Sequence, residues 1–461
     1  MPDRHAPTIE TDVLVLGAGP AALATALALH RSGVAVALIG QTTATSAWEG
    51  ASPRLVQALQ QWGCHQALDT LSPAAPRQVA WAGQARLANA EHLLDRAVLH
   101  AAWWQDLTEQ GVAMHAGRVI EVVPPGAANA DAPHPWHVHW HDGQGELRQA
   151  RAHIVVDGRG ASASATPLWQ GPVTLTLSRA VQAPAGGAPR CFAVSLPDGW
   201  AWGHVDARGH GLMQCFADPG TVPERDDWPA WHERQRQQVW AQAGLTLPHA
   251  SGDGPVLARA WRGRWCAPLS HPRGFRVGEA CLAADPLSGH GMFDAFAMAL
   301  ACAPAVRTVL HRPADAELAR RFYEDRVAAM ARARREAAHG FYATAAASHP
   351  GAYWARRVEA TAPATAAPSP PPAMGWQPQP VVEHGWILPR RVLVTPQHPG
   401  GIRLLDGIDL ADLRDRLGPW PGDAGPSPAQ AAQLASLART HAQPVPVWLR
   451  AWRLTGQADA T

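Results

Sequence analysis

The chain opens with apolar segments in tight alternation. Residues 13–16 form an unbroken apolar run of strand length, and a glycine turn follows. Ala and Leu then recur at helical spacing over residues 20–29, and residues 34–39 are apolar again. A buried strand, a helix and a second strand in that order predict a βαβ unit and a parallel sheet. Further on, residues 91–111 carry Leu93, Leu94, Ala97, Val98, Ala101 and Leu107 as one apolar stripe with Arg96 outside it, which predicts a helix. Residues 136–141 alternate instead, with Trp136, Val138 and Trp140 on one face of a strand and His137, His139 and His141 on the other. Three imidazoles on one face are a possible metal site. A half-exposed strand explains the pattern in full, and no metal is expected.

Texture changes along the chain divide it. Residues 173–262 are strand-rich, interrupted by a helical stretch over 228–243, and predict an inserted antiparallel sheet. Within it, Gly199-Trp200-Ala201-Trp202-Gly203 places two tryptophans on one strand face, where they are expected to fill a core. Helices are expected over 291–299 and 318–338. The proline-rich stretch 362–380 reads as linker. After it come a strand-like segment at 391–394, helices at 410–417 and 428–440, and an apolar stretch at 445–454. The expected fold class is α/β, a Rossmann-like dinucleotide domain with an inserted antiparallel β-sheet domain and a small C-terminal α+β, winged-helix-like domain. The expected boundaries are 1–172 and 265–345 for the two parts of the dinucleotide domain, 173–264 for the sheet, 346–380 for the linker and 381–461 for the last domain.

Composition removes several classes. Net charge is +1 over 461 residues, which gives no reason to expect nucleic acid as a partner. Six widely spaced cysteines with no CxxC signal neither a zinc site nor a disulfide framework. The apolar run near the start contains a glycine turn and Pro20 and has no basic segment before it, so neither a membrane span nor a secretory leader is expected, and a cytoplasmic home fits. All 39 basic residues are arginine; there is no lysine.

Two glycine turns carry the chemistry. Gly17-Ala18-Gly19-Pro20-Ala21-Ala22 joins the first strand to a helix, the setting in which backbone N–H groups meet a pyrophosphate at a positive helix end. At the end of the second strand, where such folds offer an acidic residue to the ribose, stand Gly40 and Gln41, so the Gln41 amide, backbone or water must serve. The second turn runs from Val277-Gly278-Glu279-Ala280 to Asp285-Pro286-Leu287-Ser288-Gly289-His290-Gly291, again from an apolar strand into a helix. His290 is its one imidazole, placed either to protonate, orient or shield a reacting group or to cap the turn from outside.

Together these turns, with Asp157-Gly158-Arg159 closing the strand at 154–156, resemble the FAD-containing aromatic hydroxylases, flavin halogenases and geranylgeranyl reductases. The resemblance implies FAD, with Gly17, Gly19, Pro20, Ala21 and Ala22 at the pyrophosphate, Gln41 near the adenosine and Arg96 at the phosphates. It also implies Val119 among the contacts, Glu279 on the ribityl chain, and Asp285, Pro286, Gly289 and Gly291 along the ring. NAD(P)H would act as a transient reductant, since no second nucleotide turn is visible. The halogenases of this group pass hypohalite to a lysine, which this chain lacks. Within the group the chain looks most like the flavoproteins that mature tryptophylquinone enzymes. In these, reduced FAD and oxygen form a C4a-hydroperoxide that hydroxylates a peptide-borne tryptophan. That resemblance implies a peptide or small-subunit substrate docking on the C-terminal domain. Hydroxylation of a small aromatic metabolite, a reductase and a flavin-binding chaperone are the alternatives.

Overall fold

Four consecutive residues without solvent exposure, Val13 to Leu16, end the central strand of a parallel sheet. The computed structural model describes residues 8–42, 47–126, 135–242, 245, 251–289, 291–363 and 373–457. Ile9–Leu16 pairs in parallel with Val36–Gly40 on one side and Leu147–Asp157 on the other; Ala113–Val123 and Gly274–Arg276 extend the sheet. The strand Ala113–Val123 does two jobs. Its first four residues pair with Val36–Gly40, and the rest leave to pair antiparallel with Trp136–Asp142, which pairs in turn with Leu147–Asp157. Trp136, Val138 and Trp140 are buried in the core under this ribbon, and His139 faces Glu121 at 2.9 Å. The helix Pro20–Arg31 is buried along most of its length and packs on the helix Gly291–His311. Among the described residues this second helix alone is long and apolar enough to cross a membrane, and most of its apolar side chains are buried in the protein core.

The second sheet has nine strands in the order Leu282–Ala283, Ser251–Cys266, Pro167–Gln182, His210–Ala217, Gly199–Val205, Arg190–Leu196, Ala75–Trp81, Gln84–Asp95 and Trp48–Ala51. Three of these strands come from residues 48–95, so the sheet is not built from 173–264 alone. They also correct the helix expected over 91–111, because residues 91–95 finish the strand Gln84–Asp95 and the helix is Arg96–Glu109. Asp95 fixes that boundary: its Oδ1 accepts the Ala97 N–H at 2.8 Å, an N-cap that makes Arg96 the first helical residue. Alternation along the strands separates two environments. Phe192, Val194, Ala201, Met213 and Cys215 pack under the helix Trp228–Trp240, with Trp231 and Val239. The opposite face presents Trp200, Trp202 and Phe216.

Two helices are longer than their sequence signals, Gly291–His311 and Ala316–Ser348. Inside the expected linker, Ala352–Thr361 is a helix with Tyr353, Trp354 and Arg357 buried, and Gly375–Glu383 is a strand. Its prolines are compatible with a strand because Gly375–Glu383 lies at a sheet edge, where a missing N–H is harmless. The chain divides into two compact units, Met1–His311 with Tyr323–Pro363 and Arg312–Phe322 with Ala364–Thr461. The second unit has a three-stranded antiparallel sheet, Gly375–Glu383, Trp386–Thr395 and His398–Ile402. Its helices Leu410–Leu417, Pro428–Thr440 and Val445–Gln457 close over a separate core that includes Leu393, Leu413, Leu434 and Trp452.

Candidate active site

Backbone crossings without side chains build the floor of the site. Gly17 has φ +109°, and its N–H donates to the Ile39 carbonyl at 2.8 Å. A Cβ on Gly17 would lie 2.5 Å from the Gly158 carbonyl oxygen, and a Cβ on Gly40 would lie 2.5 Å from the Gly17 carbonyl carbon. Gly40 therefore occupies its position because the first turn passes over it. The alanines of the first turn have a related role: a Cβ on Gly158 would meet the Ala22 methyl at 2.9 Å, and one on Gly278 the Ala21 methyl at 2.7 Å. Ala21 and Ala22 are buried packing residues that let both turns approach the helix Pro20–Arg31, and Pro20 is its first helical residue.

Above this floor lies a cavity of 1670 Å³. That exceeds the roughly 300–1,000 Å³ typical for a drug-sized ligand, enough for a dinucleotide and a second molecule. Of the sequence-predicted residues, Gly17, Gly19, Gln41, Arg96, Val119, Glu279, Asp285, Pro286, Gly289 and Gly291 line it; Pro20, Ala21 and Ala22 do not. His290 lies outside the described residues. The cavity meets two helix starts. Gly19 is the N-cap of Pro20–Arg31, and Gly291 opens Gly291–His311; a Cβ on either would meet no atom within 4 Å, so both N-termini have open space before them.

Polar contacts hold the two turns together. Arg264 donates to the Gly160 carbonyl at 3.0 Å and to the Glu279 carbonyl at 2.9 Å. Arg159 forms a two-pronged pair with Asp157, both contacts at 2.9 Å. Asp285 accepts the Leu287 N–H at 3.0 Å and the Tyr342 hydroxyl at 2.6 Å. Burial raises the Asp285 pKa, and the Tyr342 hydrogen bond opposes the shift. Arg96 forms an ion pair with Glu49; burial lowers its pKa while the nearby Glu279 acts the other way. One turn along the same helix His100 is buried, its pKa pulled down to about 4 by burial and then by Arg96, and its Nε2 has no protein partner.

One wall of the cavity, beside the second turn, is aromatic, and its polar members escaped sequence reading. Trp200 and Trp202 share a strand face with Phe216; Trp200 and Phe216 stack at 3.7 Å between centroids and 2° between planes. These residues fill a core as expected, packing near Tyr342 and Trp354, and also line the cavity. Arg77 and Glu91 join the wall as an ion pair at 2.5 Å. The available signal was Ala82-Gly83 between two strand-length segments, a hairpin that pairs Ala75 with Glu91.

A glycine crossing at the end of a parallel strand and a second glycine turn opening a buried helix, with a sheet covering the space between them, define a dinucleotide-binding enzyme fold with room for a substrate. Residues 10–119 match the FAD-binding domain family. A solved structure described as the peptidyl tryptophan dihydroxylase QhpG, essential for tryptophylquinone cofactor biogenesis, is 30% identical. The match covers 93% of this chain and 99% of that one, with a TM-score of 0.72. The chain belongs to the family of FAD-dependent monooxygenases that includes this dihydroxylase. Two further structures share the fold alone. The flavin-dependent halogenase CmlS is 14% identical, with 98% of this chain and 96% of that chain covered and a TM-score of 0.71. The p-nitrophenol 4-monooxygenase PnpA from Pseudomonas putida DLL-E4 is 17% identical, with 77% and 97% covered and a TM-score of 0.58. No curated protein sequence matches the chain.

Proposed function

We propose that the protein hydroxylates a tryptophan side chain carried by a peptide or small protein subunit, as a step in making a tryptophylquinone cofactor. The observation that carries this reading is the end-to-end likeness, at 30% identity, to a peptidyl tryptophan dihydroxylase. The cavity supports it, since stacked rings on one wall suit a flat aromatic substrate.

The residues present fit FAD. Side-chain-free backbone at Gly17 and open space before Gly19 and Gly291 give phosphates and ring a close approach. When bound and reduced by NAD(P)H, FAD would activate O2 so that one of its atoms can pass to the substrate. The chain's own residues do the rest. The Pro20–Arg31 helix end and Arg96 favour the pyrophosphate, and Glu279 stands to accept ribityl hydroxyls. Asp285, held by Tyr342 and its own turn, fixes the path of Pro286 to Gly289 against the ring. The sheet excludes water and presents the substrate ring. A scheme relaying halogen through lysine has no lysine to use. The C-terminal residues 381–461 serve to dock the peptide, and the enzyme works in the cytoplasm.

The test is mass spectrometry of a tryptophan-bearing subunit incubated with FAD-loaded protein, NAD(P)H and oxygen. Addition of one or two oxygen atoms to a single tryptophan is the expected outcome. No addition to any such peptide, with turnover of a free small aromatic instead, overturns the reading in favour of a metabolite hydroxylase; no substrate-stimulated NAD(P)H consumption leaves a flavin-binding chaperone.

A further inference from the structure

Glu91 is only 6% exposed in a wall made mostly of rings. Arg77 Nη1 donates to its Oε1 at 2.5 Å, and the indole N–H of Trp202 donates to its Oε2 at 3.2 Å. A carboxylate offers about four acceptor positions, so these donors leave capacity for another. The protein thus already holds one indole on this carboxylate by its N–H. A Cβ on Gly50 would lie 2.9 Å from Glu91 Oε2, so backbone closes that side; one on Gly289 would lie 3.8 Å from Arg77 Nη1, which sets the ion pair beside the second glycine turn. Four carboxylates line the cavity among the described residues: Glu49, Glu91, Glu279 and Asp285. Glu49 pairs with Arg96, Asp285 is engaged by Tyr342 and Leu287, and Glu279 stands by the Gly160 loop. Glu91 alone faces the aromatic wall through a hydrogen bond to it.

We propose that Glu91 is the substrate-recognising carboxylate: it accepts the N–H of the substrate indole and so turns the benzenoid edge toward the glycine turn. This rests on the tryptophan reading above. During hydroxylation a ring carbon forms a C–O bond with one atom of O2 as the O–O bond breaks, the other atom leaves as water, and a nicotinamide hydride supplies the two electrons. Positive charge spreads through the ring to its nitrogen until the ring proton leaves. A carboxylate at that N–H is placed to stabilise this charge where it develops. Arg77 is a positioning residue that pins Glu91.

The test compares a peptide carrying tryptophan with the same peptide carrying 3-benzothienylalanine, which keeps the shape and replaces N–H by sulfur. Both are measured on the FAD-loaded wild type and on Glu91→Gln, by the change in flavin absorbance on binding and by hydroxylation rate. Losing a hydrogen bond to a charged group weakens binding about tenfold or more. The expected result is that loss for the sulfur peptide on the wild type, a similar loss for the tryptophan peptide on Glu91→Gln, and less than a twofold further loss when both changes are combined. Equal binding of the two peptides by the wild type, or losses that multiply, overturns the assignment. If Glu91→Gln does not retain flavin, the wild-type comparison alone decides. A wild type that neither binds nor modifies any tryptophan peptide fails at the tryptophan reading itself.

Discussion

A methyl group on Gly17 has no place to go, since it would meet the Gly158 carbonyl oxygen at 2.5 Å on a backbone already at φ +109°. Gly17→Ala is therefore expected to cost more than about 1 kcal/mol of stability and to lower FAD affinity at least about tenfold, measured by thermal unfolding and flavin titration. Single histidines set a second expectation. His100, His204 and His232 are buried, and burial pulls each pKa from 6.5 to about 4. Between these values the unfolded chain binds protons that the folded chain refuses, so stability is complete above pH 6.5 and falls as pH drops toward 4. Unfolding midpoints in denaturant at pH 7.5, 6 and 4.5 check this, and a midpoint that does not decline would contradict it. At this scale the sequence pointed to cavity-lining residues that sit in local turns. Gly17, Gly19, Glu279 and Asp285 announce themselves because turn chemistry is written in neighbouring letters. Glu91 and Arg77 do not, because their partnership joins two strands and acquires meaning only against Trp202, over a hundred positions away.

Among the elements, the helix Ala352–Thr361 depends on a buried ion pair. Arg357 Nη1 donates to Asp218 Oδ1 at 2.7 Å, Nη2 donates to Thr174 Oγ1 at 2.8 Å, and the guanidinium lies 3.6 Å from the Tyr353 ring centroid. Replacing Arg357 with alanine leaves the buried Asp218 carboxylate only the longer contact to the half-exposed Arg356 at 3.5 Å, so a loss of about 3 kcal/mol is expected, read from denaturant unfolding. Its hydrophobic stripe is short and lies inside an expected linker, which hid the helix from sequence reading. The stretch 91–111 failed differently. Leu93 and Leu94 belong to a strand, yet their spacing from Ala97 and Val98 is also helical, and only the Asp95 cap separates the two elements. Where period and boundary agreed, as at Leu410–Leu417 and Pro428–Thr440, the expected segments and the observed helices coincide.

For the whole molecule, the first βαβ unit and the second glycine turn were legible more than two hundred residues apart because each carries its own chemistry. The sheet between them was legible as texture but not as topology, since strands from residues 48–95 complete it. The second unit has its own apolar core, so removing residues 364–461 is expected to leave FAD binding within about twofold while abolishing hydroxylation of the peptide substrate. Flavin titration and peptide mass together measure that split. The structure of the FAD-loaded protein shows most directly where the cofactor lies. The predicted density has the pyrophosphate at the Gly17–Gly19 turn and the ring beside Gly289 and Gly291, facing the wall of Trp200, Trp202 and Glu91. A ring placed outside that cavity, or protein that takes up no FAD, would contradict it.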